Sequence, residues 1–254
     1  MNPPSTAARS VLITGASRGI GAAAALACAK QGWDVAVNCA RDTRAAEAVA
    51  AQVRSLGRRA IVVAADVADE AAVLAMFARI DAELPPLAGL VNNAGVVDVL
   101  ARVDEVSLAR LQRLFAINVF GSFLCAREAV KRMSSKYGGA GGAIVNLSSA
   151  AARIGGPGWY VDYAASKGAI DTFTLGLARE VAAEGIRVNA VRPGIIETEI
   201  HASGGQPDRV KSSTAAIPMQ RPGTADEVAA AIVWLLSAEA SYSTGTIVDV
   251  TGGR

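Results

Sequence analysis

The chain has 254 residues, 52% hydrophobic and 19% charged, enough apolar material for a sizeable core without disulfide or metal staples. A formal net charge of +2, with no Lys/Arg run interleaved with aromatics, argues against a nucleic-acid surface and leaves small molecules and other protein chains as expected partners. Cys28, Cys39 and Cys125 are odd in number and lack CxxC spacing, so they read as core thiols of a reducing compartment, and no metal site is expected.

Residues 1–9 carry Pro3, Pro4 and small polar side chains around no apolar core, which predicts a short disordered tail rather than a secretory signal. No apolar run reaches membrane-span length, so a cytoplasmic protein without membrane contact is expected. From Ser10 onward, short β-branched runs alternate with longer Ala-rich stretches. That alternation predicts an α/β fold, a single Rossmann-type doubly wound sheet of seven parallel strands flanked by helices on both faces, with residues 10–254 as one domain. Strands are predicted at 11–14, 34–39, 60–65, 89–92, 143–147, 187–191 and 246–250, and helices at 19–31, 43–56, 70–83, 107–135, 160–183 and 225–236. Residues 194–221 have no clear period; so long a connection in a compact domain is a functional lid or disordered, and about 195–217 is expected to cover a substrate.

The first strand runs into Thr14-Gly15-Ala16-Ser17-Arg18-Gly19-Ile20-Gly21. Glycines here let the backbone turn tightly and approach a pyrophosphate seated on the first helix, although an ordinary Gly-rich turn has a similar composition. Asp66 ends the third strand, where it could equally cap the next helix. Asn92-Asn93-Ala94-Gly95 ends the fourth, at the crevice of an open parallel sheet, though such residues also simply end strands. Asn118 lies within the long 107–135 helix, where a polar residue could cap an internal irregularity.

Asn146-Leu147-Ser148-Ser149 ends the fifth strand and offers two competing hydroxyls that could hydrogen-bond a substrate carbonyl. Tyr163-Ala164-Ala165-Ser166-Lys167 puts a phenol and an ammonium four residues apart on one helix face. A cation there favours the phenolate and moves a Tyr, of pKa about 10, toward useful acid/base strength. Tyr160 has no Lys four residues on, and His201, the only histidine, has no second ligand nearby.

The spacing of the glycine loop and the order of the later motifs resemble the short-chain dehydrogenase/reductase family, especially its sugar dehydrogenase and 3-oxoacyl reductase-like members, over about residues 10–253. The resemblance implies hydride transfer between a nicotinamide and a carbonyl or secondary alcohol, with Tyr163 as acid/base. It implies Ser149 as the hydroxyl on the substrate oxygen, one residue farther from the Tyr than the family's pattern, and Ser148 as structural. Lys167 would assist the phenolate and bind the ribose, and Asn118 would complete the tetrad through a water. Implied cofactor contacts are Gly15, Ser17, Arg18, Gly19, Ile20 and Gly21 in the loop, and Asp66 and Val67 near the adenine. Asn93, Ala94 and Gly95 follow on the adenosine side, then Tyr163 and Lys167, and finally Pro193, Gly194, Ile196 and Thr198 after the sixth strand.

An acidic side chain at the tip of the second strand would accept both ribose hydroxyls and repel a 2′-phosphate. That tip reads Asn38-Cys39-Ala40-Arg41, so Arg18 and Arg41 can meet the phosphate, and NADP(H) is expected in preference to NAD(H), which stays possible. Asp42 is assigned to capping the helix near Thr43. Helices 107–135 and 160–183 carry small apolar residues around more of their circumference than one sheet face covers, which predicts a subunit interface; the family's habit implies a homotetramer. The competing reading is a catalytically silent dinucleotide-binding regulator or scaffold, which would need none of the Ser, Tyr, Lys and Asn set. Ester hydrolysis through Ser149 lacks a G-x-S-x-G elbow and a paired base.

Overall fold

The computed structural model describes residues 8–254. The tail expected over 1–9 therefore lies mostly outside the described residues, but Arg9 does not belong to it: its guanidinium carbon is 3.9 Å from the Trp33 ring centroid.

Strands β1 (Ser10–Ile13), β2 (Asp34–Cys39), β3 (Ala60–Ala64), β4 (Leu87–Asn92), β5 (Gly142–Leu147), β6 (Ile186–Pro193) and β7 (Ile247–Val250) form one sheet. Its order is β3-β2-β1-β4-β5-β6-β7, and every neighbouring pair is parallel. Both faces are covered, which is why the strands read as continuous apolar runs. Within β1, Val11 and Ile13 pack on one face against α1 (Gly19–Lys30), α2 (Thr43–Ser55) and the helix over Ala225–Leu236, while Leu12 packs on the other. That second face is covered by α3 (Glu70–Glu83) and the helices over Gly121–Met133 and Val161–Val181. Strand order reverses between β1 and β4, so the crevice lies at the carboxyl ends of these two strands.

The predicted helix at 107–135 is divided. α4 (Leu108–Phe115) passes through a π-helical turn at Ala116–Phe120 into α5 (Gly121–Met133), with Asn118 inside the turn. After β5 comes a short α6 (Ala151–Ile154), then the long α7 (Val161–Val181). Residues 194–221 are not structureless: they hold α8 (Ile200–Ser203), α9 (Arg209–Ser213) and a 3₁₀ turn at Thr214–Ala216, before α10 (Ala225–Leu236). The His201 side chain lies outside the described residues. Among the described residues, no helix is long and apolar enough to cross a membrane. Cys28, Cys39 and Cys125 are buried free thiols.

Candidate active site

The glycine loop after β1 is held from two sides. Asn93 Nδ2 donates to the carbonyls of Thr14 at 2.8 Å and Gly15 at 3.0 Å, while Thr14 Oγ1 accepts from the amides of Asn93 at 3.0 Å and Ala94 at 2.9 Å. From β2, Asn38 Oδ1 accepts from the Gly15 amide at 3.1 Å. The packing requires glycine twice over: Gly15 has φ +62°, and a Cβ on Gly21 would lie 2.5 Å from both Asn93 Nδ2 and the Gly15 carbonyl oxygen.

The loop delivers the chain to an α1 start that has no side-chain cap and no acid in its first turn. By contrast, Asp42 accepts from the Ala45 amide at 2.9 Å, Asp69 caps α3 and Thr224 caps α10. The amides at the start of α1 and its positive dipole end are thus free for an anion. This fits the pyrophosphate of a dinucleotide, with Ser17, Arg18, Gly19 and Ile20 around it. Arg18 and Arg41 are exposed, and neither forms an ion pair among the described residues. Asp66 is exposed and accepts from the Ala68 amide at 3.0 Å; the cap of α3 is Asp69, so Asp66 is not occupied by that role. The Val67 side chain is buried, within contact distance of Gly121.

Across the switch point, β5 and α7 bring the reactive side chains together. Arg110, at the end of the first turn of α4, pairs with buried Asp162 at 2.7 Å, and Asp162 Oδ1 also accepts the Tyr163 amide at 2.9 Å. This fixes the first turn of α7. One turn on, the Lys167 ammonium reaches back to the Leu147 carbonyl at 2.6 Å and stands 5.8 Å from the Tyr163 ring centroid. The two serines separate clearly: buried Ser148 donates to the Lys167 carbonyl at 3.3 Å, whereas the Ser149 hydroxyl accepts the Ala151 amide at 3.1 Å and lies close enough to the Tyr163 phenol to lower its pKa. Asn118 Oδ1 accepts the Val96 amide at 2.8 Å and its Nδ2 donates to the Val96 carbonyl at 2.9 Å and Ser166 Oγ at 3.1 Å. Asn118 and Lys167 are neighbours, since a Cβ on Gly95 would sit 3.4 Å from Asn118 Oδ1 and 3.5 Å from Lys167 Nζ.

Electrostatics correct one expectation. Burial raises the Tyr163 pKa, opposed by its bond to Ser149 and by the Arg209 charge. The phenol is therefore held in its neutral form. Burial also lowers Lys167 to about 8, partly offset by Asp171.

A cavity of about 250 Å³ gathers Ile20, Asn93, Gly95, Ser149, Tyr163 and Lys167 with Pro193, Gly194, Ile196 and Thr198. The remaining loop residues, Gly15 to Gly19 and Gly21, with Arg41, Asp66, Val67, Ala94 and Asn118, lie outside its lining. Trp159, Tyr160 and Arg254 were not foreseen as part of it, and Arg209 enters from the 195–217 stretch expected to cover the substrate. Tyr160 is a buried wall, edge-on to Tyr163 with ring centroids 6.4 Å apart. A Gly- and aromatic-rich 155–160 loop after the serines was the signal for Trp159 and Tyr160.

Fold and switch-point geometry together define a Rossmann-type dinucleotide-binding protein. A family model described as enoyl-(acyl carrier protein) reductase matches residues 15–254. The chain is 57% identical over 243 residues to the uncharacterized oxidoreductase YgfF of Escherichia coli K12, covering 96% of this chain and 98% of that protein. It is 36% identical over 248 residues to the 3-oxoacyl-(acyl-carrier-protein) reductase FabG of Staphylococcus aureus, covering 96% and 97%. A short-chain dehydrogenase from Burkholderia cenocepacia, in complex with NADP, superposes with a TM-score of 0.88 at 33% identity over 96% of this chain and 97% of that one. The chain belongs to the short-chain dehydrogenase/reductase family of oxidoreductases.

Proposed function

We propose that the protein transfers hydride between a nicotinamide dinucleotide, NADP(H) in preference to NAD(H), and a small carbonyl or secondary-alcohol substrate, with Tyr163 as acid/base. The observation that carries this reading is one cavity lined together by Ser149, Tyr163, Lys167 and Asn93, the residue that braces the glycine loop. The cofactor, when bound, supplies or accepts the hydride. In the reducing direction Ser149 donates to the substrate oxygen and Tyr163, kept neutral by burial, hands over its proton. Lys167 holds a positive charge beneath them and offers its ammonium to the ribose hydroxyls. Asn118 fixes the backbone at Val96, next to Gly95, and its π-helical turn lies where a water could pass protons toward Lys167.

Cofactor contacts follow the loop and crevice residues already described, with Thr198 over the glycine loop: a Cβ on Gly19 would meet its side chain at 3.4 Å. Residues 195–217 act as the substrate cover, since Ile195, Ile196, Thr198, Ile200 and Arg209 line the cavity. The working form is a cytoplasmic homotetramer, assembled in part through the α5–α7 face. The test is a panel of ketones, sugars and acyl thioesters assayed with both nicotinamide cofactors at the reduced-nicotinamide absorbance band. Turnover that disappears in Tyr163→Phe supports the reading; binding of cofactor with no turnover of any panel member favours a silent regulator.

A further inference from the structure

We propose that Arg209 selects the substrate, and that the substrate is an oxo acid or hydroxy acid whose carboxylate rests on the Arg209 guanidinium. This rests on the oxidoreductase reading above and adds the substrate class to it. Arg209 opens α9 in the cover, and its guanidinium carbon lies 4.8 Å from the Tyr160 ring centroid and 5.2 Å from that of Trp159. Two aromatic faces thus hold the planar fork in place before any ligand arrives. Its hydrogen-bond partner is a neutral acceptor, Gln206 Oε1, at 3.2 Å. No carboxylate among the described residues pairs with it, whereas Arg110 meets one and Arg132 and Arg192 meet two each. A guanidinium with spare donors, held at a cavity wall, matches a carboxylate better than any neutral group.

The rest of the cavity agrees. Its lining contains the cations Lys167, Arg209 and Arg254 and no Asp or Glu. The adenosine end of the crevice has its own exposed cations in Arg18 and Arg41, so Arg209, bedded on the 155–160 loop, is left for the other end. Tyr160 is a common neighbour of Arg209 and of the Tyr163 ring, whose centroid is 6.4 Å from its own, so the guanidinium lies in the neighbourhood of the reacting phenol. The lining also has aliphatic walls in Val97, Ile154, Pro157 and Ile195. Such walls suit a short alkyl chain. The Arg209 charge also acts on Tyr163, lowering its pKa against the effect of burial. A substrate carboxylate would neutralise that charge and keep the phenol protonated to higher pH.

Matched pairs test this: acetoacetate and laevulinate, each against its methyl ester, with cyclohexanone as a neutral control, all with NADPH. The wild-type protein should favour each acid over its ester. Arg209→Gln should lower kcat/KM for the acids by about 10- to 100-fold, through KM, and leave the esters within about threefold. Arg209→Lys should recover part of the loss for the acids alone. A wild-type preference for the esters, or an equal loss on acid and ester in Arg209→Gln with a shifted kcat pH profile, would overturn the proposal, because the guanidinium would then act on Tyr163 or on the cover.

Binding decides separately from turnover. Acids but not esters should quench tryptophan fluorescence of the NADP-loaded protein, with Trp159 as reporter, and Arg209→Gln should abolish the effect. Reduction of cyclohexanone with no binding of either acid leaves the oxidoreductase reading standing and removes this one. Binding of the acids with no reduction of any compound does the reverse.

Discussion

The Lys167 ammonium donates to the Leu147 carbonyl at 2.6 Å, tying the first half of α7 to the end of β5 beside the serines. Because the group is buried, its pKa is lowered to about 8 in the cofactor-free protein. The folded-state value lies below the unfolded one, so the charged form costs folding stability below pH about 8, and that cost is relieved as pH rises toward the ordinary lysine range. An anionic dinucleotide favours the charged form. Binding at pH 8 should therefore take up about half a proton, and affinity should weaken as pH rises through this value. Calorimetry in buffers of different ionisation enthalpy reads the uptake directly. Lys167→Met should abolish it, and uptake that persists in the variant would assign the proton to another group.

The serines should differ in kind. Ser149→Ala removes the hydroxyl that lines the cavity beside Tyr163 and should lower kcat by about 100- to 1000-fold. Ser148→Ala removes a buried bond to the Lys167 carbonyl and should cost about 1 kcal/mol of stability with a smaller change in rate. Tyr163→Phe should cost about 100- to 10,000-fold in kcat with cofactor affinity largely kept, and Tyr160→Phe far less. Since burial raises the Tyr163 pKa, kcat for reduction at saturating cofactor should be flat through neutral pH while kcat for oxidation climbs with pH. Steady-state rates and unfolding curves for the four variants check this. A larger rate loss from Ser148→Ala than from Ser149→Ala would reverse the assignment.

The strands and the glycine loop were legible because their cause is local. A strand covered on both faces must be apolar throughout, as Val11, Leu12 and Ile13 are, and a turn at φ +62° needs a glycine at position 15. The break in the 107–135 helix was not legible. Residues 115–120 keep a helical pattern, and the side chain within the π turn is bound by Val96, 22 positions earlier in the chain. The direction of the Tyr163 shift was missed for a related reason: the spacing to Lys167 is visible in the sequence, whereas the burial that outweighs any nearby cation is tertiary. Arg209 meets Tyr160 and Trp159 across about fifty residues, and no periodicity in its loop marks that meeting.

Two phenylalanines test the assembly. Phe120 and Phe123 are 58% and 47% exposed at the start of α5, and Phe123 stacks on Phe173 of α7 with ring centroids 3.8 Å apart. So much exposed aromatic surface on adjoining helices suits burial against another copy. Phe123→Glu should shift the mass measured by light scattering toward the monomer, with the secondary structure unchanged by circular dichroism. A wild-type monomer at micromolar concentration would remove the tetramer from consideration.

Cofactor choice turns on the tip of β2. Asn38 is buried there and fully engaged, accepting from the Gly15 amide at 3.1 Å and donating to the carbonyls of Val63 at 3.1 Å and Ala65 at 3.0 Å. It braces the sheet to the glycine loop and is not free to read a ribose. Asp42, the one acid close by in sequence, accepts from the Ala45 amide at the start of α2. With that carboxylate turned to the helix amide, exposed Arg41 and Arg18 are the groups proposed to attract a 2′-phosphate. Arg41→Ala should therefore weaken NADP(H) by about 10- to 100-fold and leave NAD(H) nearly unchanged. Asp42→Ala should lower stability by about 1 kcal/mol through loss of the cap, without loosening NAD(H). Dissociation constants for both cofactors with both variants decide the matter. Tighter NAD(H) binding in the wild type, lost in Asp42→Ala and untouched in Arg41→Ala, would mean that Asp42 leaves its cap to hold the ribose.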